Sequence, residues 1–153
     1  MNAFELRIPP PMVVITAAIA MWFLAALPPF AQVFPVVRMV AVVGMAVAGV
    51  AFSLSGVMAF RRAKTTVNPL KPGSASSLVS GGVYKITRNP MYVGMLFLLL
   101  AWAAFLWSPW PLIGVLGFAA FIGRFQIAPE ERALLTLFGA EFTAYKARVR
   151  RWL

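Results

Sequence analysis

Four long segments of the sequence carry almost no charge, and this pattern limits the fold more than any other feature. They cover residues 12–30, 36–60, 91–107 and 111–125. The first two reach the ~20 apolar residues that a helix needs to cross a bilayer, whereas the last two are short for full spans. Pro28 and Pro29 are expected to end the first helix. A tight turn at residues 108–110 makes the last two segments a predicted helical hairpin.

The C-terminal segment, residues 129–153, differs because apolar and charged side chains alternate in it at helical spacing. Its apolar positions are Leu134, Leu135, Phe138, Phe142, Tyr145 and Val149. We predict an amphipathic helix that lies on the membrane surface or packs on the preceding loop, with Pro129 in its first turn. The predicted fold class is therefore an all-α integral membrane protein with about four transmembrane helices and a C-terminal amphipathic helix.

The composition supports a lipid environment for this 153-residue chain, whose length suits one domain. Charged residues make up 12% of it, with a net charge of +10, whereas soluble domains carry about 25% charged residues. Such an excess of basic residues can indicate nucleic-acid binding, but the positive-inside bias of a membrane protein explains it better. No nucleic-acid partner is therefore expected.

The distribution of charge predicts the orientation. With four spans, every basic residue except Arg38 falls on one side of the membrane, together with all four carboxylates: Glu5, Glu130, Glu131 and Glu141. The positive-inside rule places that side in the cytoplasm. We expect a multi-pass protein of the bacterial inner membrane, with a retained first helix and both termini in the cytoplasm.

The absence of Cys and His excludes several kinds of chemistry. Zinc sites built on these residues, thiol nucleophiles, disulfides and histidine general bases are all ruled out. No metal site is predicted. An enzyme with this sequence would have to use carboxylates, Arg, Lys, Tyr, backbone groups and a cofactor.

A motif at residues 78–94 bridges the basic loop, residues 61–90, and the third apolar segment. Gly81 and Gly82 permit backbone conformations that expose N–H groups to a ligand. Arg88 offers a planar fork for a carboxylate or phosphate, and Pro90 begins a helix whose first amides favour an anion. The alternative is a turn followed by interfacial anchors, and the residues alone slightly favour that alternative.

A second motif at residues 124–131 follows the fourth apolar segment. Glu130 and Glu131 stand side by side at a predicted helix start. They either complement the helix dipole or bind a cationic or hydroxyl-rich ligand, and the residues alone narrowly favour the dipole interpretation.

A helical hairpin separates the two motifs, and its two ends lie close together. We therefore expect the first motif to meet the second at the cytoplasmic boundary, facing a lipid-accessible wall. The residues expected to meet are Tyr84, Arg88, Asn89 and Tyr92 with Arg124, Gln126 and Glu130. This combination suits a small zwitterionic, partly cationic cofactor that faces a lipid substrate.

The two motifs resemble those of the isoprenylcysteine carboxyl methyltransferase family, whose core phospholipid N-methyltransferases share. The resemblance covers roughly residues 65–150, includes the 65–69 stretch, and suggests a short bacterial member with a single domain over residues 1–153. The matching positions are Leu78, Val79, Gly82, Tyr84, Arg88, Pro90, Tyr92, Gly94, Glu130, Glu131, Leu134, Phe138, Gly139 and Tyr145. The chain departs from the pattern at Asn89, a family His; at Gln126, a family Arg; and at Phe142, a usual Tyr.

The resemblance implies S-adenosylmethionine as the methyl donor and S-adenosylhomocysteine as the product. It places the cofactor against Ser76, Ser77, Leu78, Val79, Tyr84, Asn89, Pro90, Met91, Tyr92, Glu130 and Glu131. Arg88, Arg124 and Glu130 are the candidate catalytic residues, and Arg124 and Gln126 the candidate substrate-binding residues. Gln126 in place of Arg weakens the case for a carboxylate substrate.

The implied activity is methyl transfer to a lipid-like or isoprenoid acceptor at the cytoplasmic membrane face. In-line positioning is its main catalytic requirement. Carboxylate, thiol and amine acceptors stay open. The alternative is a non-catalytic membrane scaffold or lipid-binding protein that kept the fold. A multidrug-type transporter is disfavoured because the apolar segments contain no acidic residue.

Overall fold

Helices form every regular element of the structure, a computed structural model that describes residues 5–27, 35–65, 73 and 76–153. The α-helices are α1 (Pro10–Leu24), α2 (Pro35–Arg62), α3 (Pro90–Leu106), α4 (Leu112–Ile122) and α5 (Ala128–Arg148). A short 3₁₀-helix, Gly82–Lys85, precedes α3, and a π-helix, Gly123–Ile127, joins α4 to α5. The predicted all-α class is confirmed over these residues.

Two helices are long and apolar enough to cross a membrane: α2, with 28 residues, and the continuous helix Leu112–Arg148, with 37. The other apolar helices, α1 and α3, have 15 and 17 residues. The membrane assignment rests on these helices, while the count of four spans stays a prediction. Helix α1 ends at Leu24, and the expected stop at Pro28 and Pro29 lies outside the described residues, as does most of the 65–69 stretch.

Helices α2 and α3 pack closely because glycines remove side chains from their contact. A Cβ atom on Gly94 would lie 2.6 Å from the carbonyl oxygen of Gly49 and closer still to the Ser53 hydroxyl. Gly56 meets Met91 and Pro90 at the start of α3 in the same way. Small residues at helix contacts allow this approach in membrane proteins. The contact fixes the position of the α3 start, which carries the first motif.

We expect Gly94→Ala to destabilise the protein by roughly 1–3 kcal/mol, since the added methyl group must push apart two packed helices. Gly44→Ala in α2 is the matched control because a Cβ atom there meets nothing within 4 Å. Thermal unfolding of both variants in detergent checks this expectation. Equal unfolding temperatures for the two variants would contradict the close packing of α2 against α3.

Arg38 lies at the hairpin end of the bundle, as its separation from the other basic residues suggests. Its guanidinium donates a hydrogen bond to the carbonyl oxygen of Phe105. It also stands 5.4 Å from the ring centroid of Phe105 and 5.9 Å from that of Trp107. Cation–π contacts of this kind favour an arginine among aromatic rings. Arg38 is thus at the opposite end of α3 from Arg88.

The hairpin and the C-terminal helix, predicted as separate elements, form one continuous helix because a π-helix joins α4 to α5. The N–H of Ala128 donates to the carbonyl oxygen of Gly123, the five-residue spacing that defines a π-helix. Pro129 has no N–H to donate, and it follows this wide turn directly. Arg124, Gln126 and Glu130 therefore stand on one continuous helix.

The C-terminal helix is shorter and less regular than predicted. Helix α5 is kinked at Gly139, where φ is +48°, a conformation that glycine tolerates best. It ends at Arg148, so the prediction of helix to residue 153 is wrong for residues 149–153, which form an extended C-terminal strap. The strap forms an isolated parallel bridge between Arg150 and Thr87. Of the two positions foreseen for this helix, the structure shows packing on the loop.

Candidate functional site

A hydrogen bond across the hairpin joins the two sequence motifs. The hydroxyl of Tyr92, in the first turn of α3, donates to Oε1 of Glu130 at 2.5 Å. Tyr92 is buried and belongs to an apolar cluster with Leu99, Phe118 and Ile127. Pro90 begins α3 and Pro129 lies in the first turn of α5, so both partners lie at helix starts. The hairpin thus brings Tyr92 to the carboxylate pair.

Glu130 lies just beyond the apolar part of the long helix, residues 112–127, and has no basic partner among the described residues. Burial raises the pKa of Glu130 to about 8, although the hydrogen bond from Tyr92 lowers it. The negative charge of Glu131 raises it further. A carboxyl group with such a pKa gains free energy when a cation or proton donor binds beside it.

Glu131 has the opposite environment because two arginines surround it. Arg88 Nη2 lies 2.8 Å from its Oε1, and Arg151 Nη2 lies 2.5 Å from its Oε2. Burial raises the pKa of Glu131, but the hydrogen bonds and charges of Arg151 and Arg88 outweigh that effect and hold the pKa below its usual range. Glu131 is therefore held ionised between two arginines, whereas Glu130 has no basic partner among the described residues and accepts a hydrogen bond from Tyr92.

Arg88 also fastens the C-terminal strap. Its Nη1 donates to the carbonyl oxygens of Lys146 (3.1 Å) and Val149 (2.5 Å). Its backbone N–H donates to the carbonyl oxygen of Arg150 (2.9 Å). Its side chain is 11% exposed. The geometry gives the guanidinium of Arg88 a positioning role, since these bonds direct it at the strap and at Glu131.

The residues on either side of Arg88 bind the same strap. Thr87, fully buried, donates through its hydroxyl to the carbonyl oxygen of Arg151 at 3.1 Å. Asn89 donates to that same oxygen through Nδ2 at 2.9 Å. The Asn89 side-chain amide donates this hydrogen bond without carrying a charge, and the N–H of a neutral histidine ring could donate the same bond. The departure at Asn89 is thus compatible with the local structure.

The loop residues of the first motif form a second apolar cluster with α5. Tyr84, Phe142 and Tyr145 are buried in it, and Leu78 and Val79 pack against them. The Tyr145 hydroxyl donates to the carbonyl oxygen of Tyr84 at 2.7 Å. Ser76 and Ser77 bond to Thr65 and Ala63, just beyond α2. This cluster provides an apolar wall beside the start of α3, where Pro90 and Met91 stand.

Arg124 and Gln126 do not meet the first motif as expected, because the N-terminal segment binds them. Arg124 Nη1 lies 3.3 Å from Glu5, and Gln126 Nε2 donates to the carbonyl oxygen of Ile8 at 2.5 Å. The backbone N–H of Leu6 donates to the carbonyl oxygen of Phe125. Residues 5–8 thus lie against the π-helix.

Three residues of this region were not identified from the sequence: Glu5, Thr87 and Arg151. Glu5 is buried and pairs with both Arg124 and Arg132. A signal for the ion pairs existed, since the sequence holds fourteen basic residues against four acidic ones and so offers each carboxylate many possible cationic partners. The partners of Glu5 and Arg151 could not be predicted, because the sequence does not show that both ends of the chain pack near Glu130 and Glu131.

Comparison with known proteins shows which proteins this chain resembles. The profile of the phospholipid methyltransferase family matches residues 37–141. An uncharacterised protein of Haemophilus influenzae is 46% identical over 63 residues, which cover 41% of this chain and 100% of that protein. Methanethiol S-methyltransferase 1 of Bradyrhizobium diazoefficiens is 44% identical over 73 residues, 44% of this chain and 22% of that protein. No solved structure matches the chain.

Proposed function

Because the chain belongs to the phospholipid methyltransferase family, we propose that it transfers a methyl group from S-adenosylmethionine to a lipid-like or isoprenoid acceptor. The Tyr92–Glu130 hydrogen bond carries the proposal, since it joins the two motifs at one place. The reaction takes place at the cytoplasmic face of the membrane, where the basic residues gather. Methyl transfer is also the activity named for the Bradyrhizobium relative.

The residues of the site fit this cofactor. Its ammonium group and ribose hydroxyls are hydrogen-bond donors, and Glu130 offers carboxyl oxygens that accept a hydrogen bond from Tyr92 and face no cation among the described residues. Leu78 and Val79 supply an apolar surface that suits adenine. When bound, S-adenosylmethionine supplies a methyl group activated by a sulfonium, and its product is S-adenosylhomocysteine.

The chain itself contributes positioning and electrostatics. Asn89 and Arg88 hold the strap, the ion pairs of Glu131 hold the start of α5 against the start of α3, and Glu130 faces the ligand. Positioning supplies much of the rate when a nucleophile attacks an activated carbon. No metal is proposed, and no nucleic acid is an expected partner.

A transfer assay tests the proposal. The purified protein in lipid nanodiscs is incubated with methyl-labelled S-adenosylmethionine and a total lipid extract of a bacterial host. We expect label in an organic-soluble product, with inhibition by S-adenosylhomocysteine. A folded protein that labels nothing would instead support the alternative, a non-catalytic scaffold that kept this fold.

A further inference from the structure

The π-helix Gly123–Ile127 lies just before Glu130 on the same continuous helix. Short π-helical turns inside α-helices are rare, and they occur frequently at functional sites. Such a turn closes its hydrogen bond over one residue more than an α-helix does, and each α-helical residue turns the chain by ~100° about the axis. If this segment became α-helical, Glu130 would therefore rotate by ~100° relative to α4 and would no longer point at Tyr92, its hydrogen-bond partner.

The N-terminal segment, residues 5–8, binds this π-helix through two hydrogen bonds. The backbone N–H of Leu6 donates to the carbonyl oxygen of Phe125 at 3.1 Å. The carbonyl oxygen of Ile8 accepts a hydrogen bond from Gln126 Nε2 at 2.5 Å, and Gln126 is fully buried. The segment thus holds two consecutive residues of the π-helix, and these contacts favour the π-helical turn over a continuous α-helix.

Glu5 joins the two sides of the π-helix with one carboxylate. Its Oε1 lies 3.3 Å from Arg124 Nη1, within the π-helix, and its Oε2 lies 2.7 Å from Arg132 Nη2, in α5. The Glu5 side chain is buried, with 6% of it exposed. Because Arg124 precedes Glu130 and Arg132 follows it, this bridge fixes the stretch of helix that carries Glu130. The ion pairs of Glu131, in contrast, hold only α5.

We propose that Glu5 is a positioning residue of the cofactor site, which keeps Glu130 directed at Tyr92 by holding the π-helix in place. This inference rests on the proposed function, because the effect of Glu5 is on the binding of S-adenosylmethionine. Residues 5–8 lie outside residues 37–141, the part of the chain that the family profile matches. The N-terminal segment therefore extends the site beyond the two sequence motifs.

Two variants with opposite changes of charge distinguish positioning from simple electrostatics. Glu5→Gln removes a negative charge and Arg132→Gln removes a positive one, yet each breaks the bridge across the π-helix. We expect both to weaken S-adenosylmethionine binding about fivefold, the effect of losing one hydrogen-bonded contact. Arg132 is 57% exposed, so its variant is expected to fold even if Glu5→Gln does not. Tighter binding of the cationic cofactor by Arg132→Gln would indicate electrostatics alone and would overturn the inference.

Combination with Glu130→Gln shows whether Glu5 acts through Glu130. Positioning predicts that Glu5→Gln causes no further loss of cofactor affinity in that variant, because the group that it positions is already changed. Additive losses, or natural affinity in a folded Glu5→Gln chain, would contradict the inference and leave the proposed function intact. Failure of the natural chain to bind the cofactor would overturn both. Glu141→Gln, at an exposed position on α5, is the control and should keep the natural affinity.

Discussion

Glu130→Gln is expected to weaken S-adenosylmethionine binding by about 30-fold or more and to abolish methyl transfer. The substitution keeps the size of the side chain and removes its ability to become charged. Loss of one partner from a desolvated charge pair costs at least ~2 kcal/mol of binding free energy, which corresponds to this factor. Equilibrium dialysis with labelled cofactor measures the affinity.

The same variant should fold as well as the natural chain. Because burial raises the pKa of Glu130 to about 8, folding takes up a proton at this group between its ordinary pKa of 4.5 and 8. Stability therefore falls as the pH rises through that range, and a neutral glutamine removes the effect. Glu141→Gln is the matched control. Unchanged cofactor affinity in Glu130→Gln would remove Glu130 from the cofactor site.

Glu131→Gln is expected to lower the free energy of unfolding by on the order of 2 kcal/mol, since the Arg88–Glu131 ion pair is largely but not fully buried and breaking a fully buried pair costs roughly 3–5 kcal/mol. The substitution leaves the Arg88 guanidinium, 11% exposed, without its carboxylate. It also removes the ion pair between Arg151 in the strap and Glu131 in α5. Thermal or denaturant unfolding in detergent measures the loss, and Glu141→Gln again serves as the control.

The contribution of Glu131 to stability depends on pH with the opposite sign to that of Glu130. The pKa of Glu131 is held below its ordinary value of 4.5, so the folded protein binds fewer protons there than the unfolded chain. The stability that Glu131 contributes is present above pH 4.5 and is lost as the pH falls through the folded pKa. An acid sensitivity as large in Glu131→Gln as in the natural chain would contradict this role.

Together these variants distinguish the roles of two adjacent carboxylates, which the sequence alone cannot tell apart. Glu130 and Glu131 have the same chemistry and stand at the same helix start. Their difference comes from Tyr92, which reaches Glu130 across the hairpin, and from two arginines that reach Glu131. The environment of Glu131 is not visible from the local sequence, because Arg151 lies in the strap, 20 residues further along the chain.

The helices were predictable because membrane helices are encoded by local hydrophobicity. The apolar segments at 36–60 and 91–107 correspond closely to α2 and α3. The meeting of Tyr92 with Glu130 also followed from a hairpin of apolar helices. The resemblance to a known family was confirmed by the matched profile.

The remaining features depended on contacts between distant parts of the chain. The continuity of α4 and α5 through the π-helix was not predicted, since a proline after a polar stretch normally suggests the start of a new helix. The strap departs from helical geometry because Thr87, Arg88 and Asn89 bind its carbonyl groups. Arg124 and Gln126 turned toward Glu5 and Ile8, residues that lie more than a hundred positions earlier.

The most direct measurement is binding of S-adenosylmethionine to the purified natural chain in lipid nanodiscs, followed by isothermal titration calorimetry. We expect saturable binding at one site per chain, competition by S-adenosylhomocysteine, and an increase in thermal stability with cofactor concentration. Absence of saturable binding to a folded protein would contradict the proposed cofactor site and, with it, the proposed activity.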